Sequence, residues 1–229
     1  MFKNKTSIYS NIISKSFTNK TNTNLTTMTE INKSKNLNIK KFMPALNTRW
    51  SPRAFSDKPV NEEDLKILFE AARWAPSCFN EQPWSFIVGS RSSSPKAYDL
   101  IFDSLVVPNQ LWAKTAPVLI VSLSKSNFAM TGQPNVHADY DVGQAVGFFI
   151  LQADHLGLYS HQMGGFSPEI VIKNFNIPKD FKPISVMALG YIGELDRLPK
   201  DYASKEGLPR ARKEQKSFVF GEKWGESRI

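Results

Sequence analysis

Cysteine is almost absent from this 229-residue chain. Cys78 stands alone, which excludes an internal disulfide framework and any cysteine-rich zinc module. No uninterrupted apolar run approaches the roughly 20 residues that a spanning helix needs, so no membrane partner is expected. Histidine is scarce as well. His137, His155 and His161 have neither helical i, i+4 spacing nor cysteine neighbours, so no metal site is expected. Arginine does not occur before Arg49.

What is present in excess is positive charge, a formal +8 from 29 Lys+Arg against 21 Asp+Glu. Such a balance invites a nucleic-acid reading, but its location argues otherwise. Residues 1–42 hold eight lysines and a single acid, Glu30, leaving 21 basic and 20 acidic residues over 43–229. The body is nearly neutral, so no nucleic-acid partner is expected. The leader, residues 1–42, is rich in Asn, Ser, Thr and Lys, shows no sustained period, and has the composition of a disordered segment. It lacks the apolar core of a secretory signal; its hydroxyl content fits organellar import, whereas its lack of arginine does not. Translation from Met28 or Met43 would remove most or all of it. The body, residues 43–229, has the length and apolar content for one core and is expected to be a single domain.

Within the body, Asn61 followed by Glu62, Glu63 and Asp64 predicts a capped helix start. Leu65, Leu68, Phe69 and Ala72 continue it at helical spacing until Pro76. Residues 84–88 read as a strand closed by Gly89, 96–104 as a helix, and 117–123 as a strand covered on both faces. Residues 139–156 form a long helix, capped by Gly157 and apolar nearly all round, so it must be buried in a core or against a second subunit. Ser167 and Pro168 open another helix, and 185–190 supply a third buried strand.

Four polar clusters interrupt these elements. Arg49-Trp50-Ser51-Pro52-Arg53 sets two rigid cationic forks around a hydroxyl donor, a set suited to phosphate. Taken alone, it equally fits a solvated basic turn. Pro76-Ser77-Cys78-Phe79-Asn80-Glu81-Gln82-Pro83-Trp84 places amides and aromatics at a strand entry, where ligand clefts are commonly lined. Gly164-Gly165 permits close backbone approach to a flat ligand, or simply a turn. Arg210, Arg212 and Lys213 form a late basic knot.

In this order and spacing, from about Pro44 to Arg212, the clusters resemble the FMN-dependent nitroreductase family. The resemblance implies an α+β fold, a mixed sheet flanked by helices, in a homodimer whose cofactor sites lie at the interface and take residues from both chains. By that likeness Arg49, Ser51 and Arg53 contact the flavin phosphate, ribityl chain and pyrimidine edge, with Trp50 contributing its backbone. Asn80 and Gln82 match the cofactor loop, and Asn109 the flavin-edge asparagine. Gly164 and Gly165 match the turn whose N–H groups meet flavin N5 and O4. Arg210 and Arg212 match the late pair that neutralises the phosphate.

The activity implied is a cytoplasmic FMN-dependent NAD(P)H oxidoreductase working by a ping-pong cycle, with nitroaromatic, quinone or similar acceptors. The hydride chemistry belongs to the cofactor, so no catalytic side-chain constellation is required. Rival readings are a dehalogenase or flavin-fragmenting relative, with 124–137 as a lid, or a flavin-binding protein without turnover. Cys78 reads as a small hydrophobe and His161 as a packing residue. The aromatic tail around Phe218, Phe220 and Trp224 reads as a segment that reaches over the partner or adds a strand to the chain's own sheet.

Overall fold

The computed structural model describes residues 41–208 and 210–229. All of the leader but Lys41 and Phe42 therefore lies outside the described residues. Residues 41–206 belong to one compact unit, and those from Gly207 to Ile229 to another.

In the first unit, α1 (Pro44–Thr48) begins on a proline, and the chain leaves it in extended conformation at Arg49. Helix α2 (Glu62–Arg73) starts as its sequence predicts: the Asn61 side chain accepts from Glu63 N–H at 3.0 Å, and three acids occupy the first turn. Leu65, Leu68 and Ala72 are its buried stripe. Strand β1 (Trp84–Ser90) runs past Gly89 rather than ending there. Any Cβ on Gly89 would come within 2.4 Å of the Tyr98 backbone, so glycine serves the approach of the next helix, α3 (Pro95–Phe102), and not strand termination.

Helix α4 (Val107–Ala113) follows, then β2 (Val118–Lys125), α5 (Ala138–His155), β3 (Tyr159–Met163), α6 (Pro168–Phe175), β4 (Phe181–Gly190) and the short α7 (Lys200–Ala203). Gly157, just beyond α5, takes the left-handed φ of 72° that the cap reading requires. Ser167 caps α6, accepting from Ile170 N–H at 3.2 Å. Strand β4 begins four residues earlier than its apolar core suggests, because Phe181, Lys182 and Pro183 pair with Lys125, Ser124 and Leu123. Pro183 is tolerated at the register irregularity between Ser122 and Leu123.

The strand order is β1-β2-β4-β3, and every pairing among these strands is antiparallel. The expected mixed sheet is therefore corrected to an antiparallel one. Burial on both faces depends on what covers the sheet, not on strand direction, and here helices cover both sides. Alternation along β2 splits the core: Leu119, Val121 and Leu123 pack with Ile101 and Trp112, while Val118 and Ile120 pack with Leu68, Ala145 and Phe149. Helix α5 turns one face into that second core and leaves Tyr140 and Phe148 exposed, so it is buried on one side only in the single chain.

In the second unit, Phe220 pairs with Ser227 in an isolated bridge and its ring meets Trp224 at 4.8 Å. The tail's aromatics meet each other, and Trp224 remains 92% exposed.

Candidate functional site

Pro52 keeps the segment from Arg49 to Phe55 out of any regular helix, so its course is set by tertiary partners. The Trp50 ring stands edge-on to Tyr159 of β3, 6.3 Å between centroids. Two residues along the same strand, His161 Nδ1–H donates to the Pro52 carbonyl at 2.9 Å. The far end is pinned where Phe55 N–H donates to Thr115 Oγ1 at 3.2 Å and Gly193 N–H to the Ala54 carbonyl at 3.0 Å. Arg53 is held twice by one carboxylate: its N–H donates to Glu206 Oε2 at 3.0 Å, and its Nη1 to Oε1 at 2.9 Å.

His161 packs its ring against Trp112 at 4.4 Å. Burial pushes its pKa below the ordinary 6.5, and the nearby Arg53 charge adds to that; the Pro52 carbonyl and Glu206 oppose it. The imidazole is thus a neutral strut rather than a titrating switch at pH 7.

Strand β3 ends at Met163 and passes directly into Gly164 and Gly165. The Gly165 carbonyl accepts from Val106 N–H at 3.1 Å and from Asn109 Nδ2 at 2.9 Å. A Cβ on Gly165 would come within 2.7 Å of that Asn109 nitrogen and 2.9 Å of Val106 Cγ2, so a side chain here would displace the Asn109 amide from its bond. The Gly165 N–H has no backbone or side-chain acceptor among the described residues. Gly164 is exposed, with open space on its side-chain face.

Strand β3 therefore braces the loop of Arg49, Trp50, Ser51 and Arg53 through Trp50 and Pro52, and at its end it runs into Gly164 and Gly165, the turn that Asn109 holds. Asn109 acts here through the glycine turn. Asn80 and Gln82 belong to a separate cluster. Their loop is fastened to α5, with Cys78 N–H donating to Asp141 Oδ2 at 3.0 Å and Gln144 Nε2 to the Pro76 carbonyl at 3.4 Å. Within it, Gln82 N–H donates to Ser77 Oγ at 3.0 Å. Phe79, Asn80 and Gln82 all carry left-handed φ values, of 52°, 55° and 53°. Each such non-glycine residue costs roughly 1–2 kcal/mol, least for Asn. The loop nonetheless presents Asn80 and Gln82 to solvent and Phe79 91% exposed. The 124–137 segment packs on it, with Phe128 meeting the Phe79 ring at 6.0 Å and Ala129 N–H donating to Glu81 Oε1 at 2.7 Å.

Arg210 and Arg212 lie in the second unit. Arg210 is half-buried, while Arg212 is exposed and donates from Nη1 to the Ala211 carbonyl at 2.8 Å. Sequence reasoning missed Tyr159, Thr115 and Glu206 altogether. His161 was marked only by lying three residues before Gly164, and nothing near Glu206 in the chain signals its partner.

Comparison with known proteins supplies the context for this arrangement. The family model described as "Nitroreductase family" matches residues 46–191. A protein of Archaeoglobus fulgidus, whose name pairs NADH dehydrogenase with NAD(P)H nitroreductase, is 33% identical over 151 residues, 63% of this chain and 81% of that protein. The Bacillus subtilis "FMN reductase [NAD(P)H]" is 25% identical over 184 residues, 71% of this chain and 72% of its own. A crystal structure described as an oxidoreductase containing FMN superposes with a TM-score of 0.75 at 33% identity, over 80% of this chain and 92% of that one. The match covers both the arginine loop and the glycine turn, and the chain belongs to the nitroreductase family.

Proposed function

We propose that this protein is an FMN-dependent NAD(P)H oxidoreductase that works as a homodimer. The observation that carries the reading is the Gly165 peptide. Its carbonyl is fixed by two donors while its N–H is left unengaged, at the end of the strand that braces the loop bearing Arg49, Ser51 and Arg53. A preoriented backbone donor suits an electron-rich ring edge, because it stabilises added charge without reorganising. Guanidinium and hydroxyl donors suit a phosphate and its ribityl chain. This donor set fits FMN. Bound there, FMN would supply hydride transfer at N5, first from NAD(P)H and then to a nitroaromatic, quinone or similar acceptor.

The chain's own residues bind and orient. With FMN bound, Gly165 N–H would serve the N5 edge, Arg53 the pyrimidine edge, Ser51 the ribityl chain and Arg49 the phosphate. His161 and Tyr159 keep the arginine loop in register with the turn. The names of the Archaeoglobus and Bacillus relatives, and the FMN in the superposed structure, support the same chemistry.

The separation of Asn80 and Gln82 from the arginine loop supports a site completed by a second copy, each subunit lending its strained loop to the other. The exposed Tyr140 and Phe148 on α5 supply apolar surface for such a pairing. Among the described residues no helix is long and apolar enough to cross a membrane, and a cytoplasmic location accords with this reading.

Purified protein should be yellow, and NAD(P)H should bleach its flavin absorbance under anaerobic conditions. Menadione should then restore the colour and sustain turnover. A colourless protein that FMN cannot reconstitute would overturn the proposal.

A further inference from the structure

Arg53 is neutralised within its own chain. The Glu206 side chain is only 2% exposed, against 33% for Arg53, and its two oxygens are both spent on Arg53, one on the backbone N–H and one on the guanidinium. Tyr202, whose ring centroid lies 6.0 Å from the guanidinium carbon, and the imidazole of His161 are its near neighbours. Burying a carboxylate is costly, and here both of its oxygens accept from the same arginine, so the charge stays buried beside the guanidinium. Besides holding the loop, the carboxylate sets its negative charge directly against the guanidinium.

We propose that Glu206 is a positioning residue that acts through Arg53 to hold down the reduction potential of the bound flavin. The inference rests on the reading above, in which Arg53 meets the pyrimidine edge. Reduction adds negative charge to that edge. A lone guanidinium would stabilise the reduced ring strongly in a site shielded from water. Paired with Glu206, the guanidinium keeps its directional donors while much of its field is cancelled. The flavin is then held without being made reluctant to give its electrons to an acceptor.

The test is the midpoint potential of FMN-loaded protein, measured against a reference dye. E206Q should raise the reduced-to-oxidised ratio at fixed poise about tenfold, a positive shift of about 30 mV for a two-electron couple. R53Q should shift it the other way. The double variant R53Q/E206Q, in which a neutral pair replaces a neutral pair, should return close to the wild-type value. It also leaves no buried unpaired charge, so it carries the test if E206Q does not fold. A potential unmoved by E206Q, or a double variant that matches R53Q alone, would overturn the role of Glu206 while leaving the flavin reading intact. Wild-type protein that holds no FMN would overturn both.

Discussion

At the scale of single residues, the site is organised by groups that do no chemistry. His161 illustrates this, because its ring fills the space against Trp112 while one N–H fixes the Pro52 carbonyl. Its pKa is depressed by burial, so the folded state resists a proton that the unfolded chain takes up near pH 6.5. Folding stability should therefore be unaffected by this group above about pH 6.5 and should fall as pH drops below that value, through the lower folded pKa. In H161N, which removes the titration, the stability difference between pH 7 and pH 5 should shrink in urea-unfolding measurements. An unchanged slope would show that His161 is not the group responsible. Glu206 and Arg53 make a similar point: the arginine was legible as a cation in a binding loop, but its partner, more than 150 residues away, was not.

Among the elements, caps and amphipathic stripes were the readable features, since both depend on residues within a few positions of each other. Asn61 and Ser167 cap the helices their sequences mark. Replacing Ser167 with Ala removes the acceptor for Ile170 N–H and should cost about 1 kcal/mol, seen as a lower urea midpoint with unchanged slope. Because α6 follows the Gly164-Gly165 turn, the same variant should also weaken FMN retention. Strand β3 was not legible. Tyr159, Ser160, His161 and Gln162 carry no apolar alternation, and the segment is a strand only because β4 offers Val186 to Gly190 as partners. Helix α4 escaped notice for a related reason: at seven residues it is too short to show a period, and Trp112 and Ala113 are fixed by the core beneath.

For the whole molecule, the question is what one chain leaves incomplete. The predicted site residues of the first unit fall into two clusters, one braced by β3 and one fastened to α5, and α5 exposes Phe148 at 42%. Sedimentation should therefore give about twice the 25.9 kDa of the chain. F148E, which alters an exposed position, should leave the fold intact, shift the protein toward monomer and reduce FMN retention; a dimer that persists would place the interface elsewhere. By itself the sequence determined the capped helices, the strands β1, β2 and β4, and the four polar clusters with their family likeness, because each is encoded by neighbours along the chain. Only the tertiary structure decided that the sheet is antiparallel, that β3 ties the arginine loop to the glycine turn, and that Glu206 claims Arg53. Those outcomes depend on strand pairing and on buried charge between distant segments, and no local pattern of residues specifies either.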